Sequence, residues 1–162
     1  MNFNTREATT DDGEELLELW FEFTDHLSTF DDRYRAKEDA AEEWLSYFEH
    51  QLVDSKYSTV LLAENDAGVA VGVLEARVVG EHPIFQLERH GQIHGMYVRE
   101  GMRESGVGRQ LLNGATDWLQ DRPRSVSFYR IDVGSGDDAA AKALEEMGNS
   151  PVKQTFESTV QS

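Results

Sequence analysis

The spacing of apolar side chains predicts two helices near the N-terminus. A short strand, residues 3–8, leads into the polar run 9–12, whose Thr and Asp side chains favour a helix start. Apolar residues then recur at intervals of three and four, which predicts an amphipathic helix over about residues 11–27. Its apolar stripe consists of Leu16, Leu19, Trp20, Phe23 and Leu27. The same spacing predicts a second helix over about residues 37–53.

The rest of the chain is predicted to contain strands and two more helices. The predicted strands are residues 58–63, 69–79, 92–98, 126–133 and 152–160, and the predicted helices are residues 106–119 and 139–147. The first two of these strands form a hairpin, because Asn-Asp-Ala-Gly at residues 65–68 favours a tight turn. The order β-α-α-β-β-β-α-β-α-β predicts an α/β (α+β) fold with a mixed central sheet flanked by helices. The length of the chain predicts a single domain over residues 1–162.

The composition excludes several kinds of site. The chain contains no cysteine, so disulfides, zinc–thiolate centres and a cysteine nucleophile are excluded. The histidines show no ligand spacing on one element, and we expect no metal site. No apolar run approaches the roughly 20 residues of a membrane span, and the N-terminus lacks the basic-then-apolar order of a signal peptide. We therefore expect a cytoplasmic protein.

Charge is unevenly balanced: 31 acidic residues face 15 Lys and Arg, a net charge of −16. The acids are spread along the chain, which predicts an acidic surface and not an acidic tail. Such a surface repels nucleic acid and anionic membranes, so we expect neither as a partner. Two interpretations remain open. The acidity is either an adaptation to high intracellular salt, typical of a halophile, or the property of an ordinary acidic enzyme.

A glycine-containing turn between a predicted strand and a predicted helix is the most informative motif. It consists of Arg103, Glu104, Ser105, Gly106, Val107, Gly108 and Arg109. The two glycines let the backbone approach a ligand, and the free N–H groups and dipole of the helix start suit an anion such as a pyrophosphate. No Gly-Lys-Ser/Thr follows, and Leu111 stands where a dinucleotide fingerprint has its third glycine. The alternative is a tight turn with no ligand.

The pattern Arg103-x-x-Gly106-x-Gly108, after a strand ending Tyr97-Val98 and before Leu-Leu, resembles the acyl-coenzyme A loop of the GNAT family of N-acetyltransferases. The element order over about residues 3–160 is similar to the whole fold of that family. The resemblance implies acetyl-CoA as co-substrate, with residues 103–109 around its pyrophosphate. It also implies that the strand backbone at Met96, Tyr97 and Val98 binds the pantetheine arm and polarises the acetyl carbonyl.

The resemblance is weaker in the second half of the chain. Asp132 stands at the position of a family Glu, and Asp137 stands at that of a family Asn that we assign to cofactor binding. Leu144 replaces the Tyr that protonates the leaving thiolate, so another donor or water serves, or the thiolate leaves unassisted. Gln92 occupies the place of the Glu base in members that modify histones, which argues against a histone-type mechanism.

Two residues are candidates for the catalytic base. Asp132 is the first, acting directly or through water; the alternative is an exposed acid at a strand end. His94 is the second, because an unperturbed pKa near 6.5 suits a base at neutral pH, and it is expected to share a strand face with Gln92, Met96 and Val98. A structural histidine is the alternative. Tyr97 and Tyr129 are candidate proton donors, although strand tyrosines more often belong to the core.

His26, Phe30 and Tyr34 lie at and after the end of the first predicted helix, where the resemblance implies the wall of the acceptor pocket. Simple packing is the alternative. We predict an enzyme that moves acetyl from acetyl-CoA to a primary amine by direct attack in a ternary complex. A small-molecule amine is favoured over a protein because of Gln92. A non-catalytic CoA sensor and an interaction subunit remain alternatives, and a homodimer is left open.

Overall fold

Five strands form one mixed sheet in the computed structural model, which describes residues 2–160. They are β1 (Asn4–Glu7), β2 (Ser58–Glu64), β3 (Ala70–Val79), β4 (His90–Val98) and β5 (Tyr129–Ile131), and they lie in chain order across the sheet. The first four are antiparallel neighbours, and β5 runs parallel to β4. This parallel pairing covers only residues 91–93 of β4, so the two strands are not paired along the remainder of β4.

Helices cover both faces of the sheet. They are α1 (Gly13–Ser28), α2 (Ala40–Tyr47), α3 (Val107–Gln120) and α4 (Asp138–Glu146). The predicted second helix is α2 followed by a π-helical turn, Phe48–Leu52. Each face of the sheet has its own buried cluster. Leu16, Leu19, Trp44, Phe48, Leu62 and Val73 pack on the α1–α2 face, and Leu74, Ala76, Ile93, Leu111, Ala115 and Leu144 pack on the α3–α4 face.

Helix α3 lies close to the sheet because glycines face it. A Cβ placed on Gly72 would lie 2.9 Å from Cγ1 of Val107, and one on Gly91 would lie 2.6 Å from Cδ1 of Leu119. Both ends of the helix are therefore held against strands β3 and β4. Because Val107 is the first residue of α3, this contact also fixes the position of the glycine loop that precedes the helix.

A β-bulge interrupts the pairing of β3 with β4. Glu75 pairs with Gly95 but Ala76 pairs with Ile93, which leaves His94 as the extra residue. The bulge changes the face on which later residues point: Met96 and Val98 pack with Ile93 on the α3–α4 face, so Gln92 points to the α1–α2 face. The expectation that His94, Gln92, Met96 and Val98 share one face is wrong, because strand alternation fails at a bulge.

The predicted last strand is not found. Residues 151–160 form no regular element and are exposed throughout, with Phe156 at 86% exposure. Alternation gives this segment one apolar side, but β5 has only three paired residues and the segment forms no ladder with it. An ion pair joins the segment to the main body, with 2.9 Å between Nη2 of Arg33 and Oε1 of Glu157. No helix within residues 2–160 has the length and apolar character needed to cross a membrane.

Candidate active site

The loop between β4 and α3 forms a set of backbone donors beside an arginine. Gly101 and Gly106 have φ values of +88° and +91°, the left-handed region that favours glycine. Nε of Arg103 donates to the Val98 carbonyl at 3.1 Å, which ties the loop to the end of β4. The first main-chain bond of α3 runs from Gln110 N to Gly106 O.

The start of α3 is electrostatically suited to an anion. Within residues 2–160, the N–H groups of residues 107–109 donate to no protein oxygen, and no acidic residue lies in the first turn. A Cβ on Gly108 would lie 3.9 Å from Cγ2 of Val98, so this position leaves room above the loop. The amides, the helix dipole and the charges of Arg103 and Arg109 together fit a pyrophosphate.

In strand β4, the side chain and the backbone of Tyr97 have different roles. The Tyr97 side chain is 8% exposed, lies 5.9 Å from the Phe23 ring, and donates to Oε1 of Glu22 at 3.3 Å. Burial raises its pKa above the ordinary 10.0, followed by the effect of the Glu22 charge. The Arg103 guanidinium lies 5.5 Å from the centre of the Tyr97 ring. The Tyr97 side chain is thus a core residue, and the predicted contact with a ligand rests on its backbone.

The two candidate bases come together where β4 and β5 stop pairing. Ile93 pairs with Ile131, so His94 and Asp132 follow on adjacent strands, and both are exposed. Partial removal of water by the surrounding side chains is the main cause that lowers the pKa of His94 below 6.5, and the Arg77 charge lowers it further. The Asp132 charge acts in the opposite direction and raises this pKa. A lowered pKa favours the neutral imidazole, which is the form that accepts a proton.

A buried glutamate beside this pair was missed by the sequence analysis. Glu75 on β3 is 4% exposed, and its Oε2 accepts a hydrogen bond of 3.1 Å from the Tyr47 hydroxyl. Nη2 of Arg77 lies 3.9 Å from the same oxygen and donates to the Tyr47 hydroxyl. Burial raises the pKa of Glu75. The available sequence signal was a charged residue inside an otherwise apolar strand, but its partner on α2 is visible only in the fold.

One predicted acceptor residue meets one predicted cofactor residue. Nε2 of His26, at the end of α1, lies 3.1 Å from Oδ2 of Asp137, the residue that precedes α4. Oδ1 of Asp137 accepts from the Ala140 N–H at 3.2 Å and so caps α4. The Phe30 ring lies 5.4 Å from that of His26. Tyr34 is 57% exposed and forms no side-chain hydrogen bond within the described chain, so it is not joined to this group.

Leu144, at the family tyrosine position, and the candidate donor Tyr129 both pack on the α3–α4 core. The Leu144 side chain is 8% exposed. The Tyr129 hydroxyl donates to Oδ1 of Asn149 at 2.8 Å and its ring packs against the same core. No group of three or more His, Asp or Glu side chains suited to a metal ion occurs in residues 2–160.

Comparisons with known proteins identify the family. The model of the acetyltransferase (GNAT) family matches residues 14–148, and the chain belongs to this family. No curated protein matches the chain.

Solved structures with this fold include enzymes with different acceptors. An aminoglycoside antibiotic 6'-N-acetyltransferase from Acinetobacter baumannii is 17% identical, with a TM-score of 0.76 and coverage of 99% of both chains. An aminoglycoside N-acetyltransferase in complex with CoA is 14% identical, with a TM-score of 0.75, over 99% of this chain and 96% of that chain. A ribosomal-protein-alanine N-acetyltransferase from Brucella melitensis is 17% identical, with a TM-score of 0.71, over 99% of this chain and 100% of that chain. These similarities confirm the predicted fold class.

Proposed function

We propose that the protein transfers the acetyl group of acetyl-CoA to a primary amine of a small molecule. One observation carries the proposal: the start of α3, whose free N–H groups suit an anion, follows the same strand whose bulge holds His94, and Asp132 follows the last paired residue of the next strand. Membership of the acetyltransferase family supports it, as does the CoA complex of a protein with this fold. The proposed unit is one domain over residues 1–162.

The loop and strand β4 are the proposed binding site for acetyl-CoA. Residues 103–109 bind the pyrophosphate through backbone N–H groups and the two arginines, and the backbone of residues 96–98 binds the pantetheine arm. Asp137, at the start of α4, completes the cofactor side. Acetyl-CoA supplies the acetyl group and a thiolate leaving group.

The acceptor side performs proton transfer. His94, or Asp132 directly or through water, takes the proton from the acceptor ammonium, because only the neutral amine attacks a carbonyl. A backbone N–H of residues 96–98 stabilises the negative charge that develops on the carbonyl oxygen. Since Leu144 carries no hydroxyl, the CoA thiolate either takes a proton from water or leaves without one. A thiol of pKa about 8.5 is a good enough leaving group for this. The attack is direct, with no covalent enzyme intermediate.

A small acceptor is favoured over a protein. Gln92 stands where histone-modifying members carry a Glu base, and it is half-buried beside Arg77. Proteins with this fold include an enzyme named for a ribosomal-protein acceptor as well as those named for aminoglycosides, so fold alone does not choose between them. We further propose a cytoplasmic enzyme, free of nucleic-acid and membrane partners, whose acidic surface is an adaptation to high salt. A homodimer is compatible with this role.

A CoA-binding sensor is the second candidate. The buried Leu144 stands where the tyrosine that protonates the leaving thiolate would be, so that proton donor is missing. Asp137 already contacts His26. Binding without turnover is the behaviour that distinguishes a sensor from an enzyme.

Calorimetric titration with acetyl-CoA, followed by a thiol-release assay with a panel of primary amines, tests both candidates. We expect a Kd near micromolar, about −8 kcal/mol, and amine-dependent release of CoA. Binding with no release by any amine would favour the sensor. No binding in low or in molar KCl would overturn both. Gly80→Glu, on an exposed loop away from α3, is the matched control for variants of the glycine loop.

A further inference from the structure

Two rows of polar side chains cross the α1–α2 face of the sheet beside the candidate bases. Arg77 pairs with Gln92, and Gln92 pairs with Arg130, so these three residues lie side by side on β3, β4 and β5. Their strand neighbours Val78, Ile93 and Ile131 pack on the α3–α4 face, which directs the three side chains to the opposite face. This is called the arginine row.

A second row lies about two residues further along the strands, or roughly 7 Å. It consists of Glu75, which pairs with Gly95, the bulged His94, and Asp132, which follows the last paired residue of β5. Glu75 is buried and accepts from the Tyr47 hydroxyl, so the exposed His94 and Asp132 are the members of this acidic row that suit a protonated amine before it loses its proton. The face therefore presents cations at one level and proton acceptors at the next.

The arginine row is only partly neutralised by the protein. The side chain of Arg77 is 38% exposed although its Nη2 lies 3.9 Å from Glu75. Arg130 is half-buried, with its guanidinium 5.9 Å from the Phe128 ring, and within residues 2–160 it forms no ion pair. Two guanidinium groups, one on each of the strands that flank β4, offer paired donors to an anionic group that lies over Gln92.

We propose that the acceptor amine carries a carboxylate or phosphate, which Arg77 and Arg130 bind while the amine lies between His94 and Asp132. This inference rests on the proposed acetyltransferase function and names its substrate class: a zwitterionic small molecule such as an amino acid or a phosphorylated amine. Polycations, including polyamines and aminoglycosides, have no group for the arginine row and are poor acceptors. The guanidinium groups thus set specificity, and the acidic row performs the chemistry.

Matched acceptors test the proposal. Ethanolamine, serine and O-phosphoethanolamine share one amine skeleton. Ethanolamine carries no anionic group, serine carries a carboxylate, and O-phosphoethanolamine carries a phosphate. Phenethylamine with phenylalanine, and cadaverine with lysine, extend the comparison to larger acceptors. In thiol-release assays we expect kcat/KM to favour the anionic member of a set by about tenfold or more. The serine and phosphoethanolamine rates separate a carboxylate site from a phosphate site.

Arginine variants test whether Arg77 and Arg130 cause the preference for an anionic acceptor. We expect Arg77→Gln and Arg130→Gln each to reduce the ratio of anionic to neutral kcat/KM by about tenfold, and Arg130→Lys to restore part of it. Arg124→Gln, an exposed arginine in the loop before β5, is the control and leaves the ratio unchanged. A ratio is insensitive to loss of folded enzyme, which lowers both rates together. Preference for the neutral member of every set would overturn the inference and leave the acetyltransferase function standing. Acetylation of no amine would overturn the function, and the inference with it.

Discussion

The imidazole of His26 and the carboxylate of Asp137 lie 3.1 Å apart although 111 positions separate them in the chain. The contact joins the end of α1, on one face of the sheet, to the start of α4, whose Leu144 packs on the other face. It therefore links the proposed acceptor side with the proposed cofactor side.

The double role of Asp137 can be separated by substitution. Asp137→Asn keeps a side chain that caps α4 but loses the carboxylate beside His26, whereas Asp137→Ala loses both. We expect the Ala variant to be less stable than the Asn variant by about 1 kcal/mol in denaturant unfolding. Both should raise the acceptor KM by about two- to fivefold, the effect of losing one partly buried polar contact with His26. Asp138→Ala, an exposed neighbour, is the control. An unchanged KM in both Asp137 variants would show that the pair is purely structural.

Substitution of Gly108 should impair cofactor binding without impairing folding. Its Cβ position is in ordinary van der Waals contact, 3.9 Å from Val98, so Gly108→Ala should fold normally. Gly108→Glu places bulk and negative charge at the proposed pyrophosphate site, and we expect the Kd for acetyl-CoA to rise by about tenfold or more. Calorimetry measures the change, with Gly80→Glu as control. Equal affinity of the Glu variant and the wild type would mean that CoA does not bind at this helix start.

The pH dependence of turnover distinguishes the two candidate bases. Because burial and Arg77 lower the pKa of His94 below 6.5, the acidic limb of kcat/KM should lie below that value if His94 is the base. Asp132 raises this pKa, so Asp132→Asn should move the limb to lower pH and leave substantial activity. If Asp132 is the base, the same variant should instead lose about 100-fold or more at every pH.

His94→Gln completes the comparison of the candidate bases, and Asp138→Asn serves as the control for loss of an exposed carboxylate. Full turnover of both His94→Gln and Asp132→Asn between about pH 6 and 9 would remove both residues from the mechanism.

Glu75 should make stability depend on pH. Its folded-state pKa is raised above 4.5 by burial, so between 4.5 and the folded value the native protein binds more protons than the unfolded chain. Stability therefore falls as pH rises through this window, relative to a chain without the group. We expect the free energy of unfolding of Glu75→Gln, measured against wild type, to improve as pH rises from about 4.5. Glu64→Gln is a comparison at a more exposed glutamate paired with Arg6. A constant difference across this range would contradict the burial effect.

Salt should stabilise the fold. With a net charge of −16, repulsion among surface carboxylates opposes the compact state, and the screening length falls from about 10 Å at 0.1 M salt to about 3 Å at 1 M. We expect the thermal unfolding temperature to rise by several degrees between these KCl concentrations. Tetramethylammonium chloride at equal ionic strength checks that screening, and not binding of a particular cation, is responsible. Equal stability at both salt concentrations would exclude the high-salt interpretation.

The amino-acid sequence by itself determined the fold class, the order of elements from β1 to α4 and the glycine loop before α3. These features depend on local patterns: apolar spacing, turn residues and helix capping act between residues close in the chain. The same locality explains the error at residues 152–160. Alternation describes which side of a strand is apolar, but a strand also needs a partner edge, and the three paired residues of β5 form none with this segment.

Only the tertiary structure determined how the candidate residues meet. The bulge at His94 depends on the register between β3 and β4. It places Met96 and Val98 on the face opposite to Gln92, whereas the sequence predicted that they share one face. The contact of His26 with Asp137, and that of Tyr47 with Glu75, join side chains from distant elements. Burial, which sets the direction of the pKa shifts of Glu75 and His94, is likewise a property of packing and not of neighbouring residues in the chain.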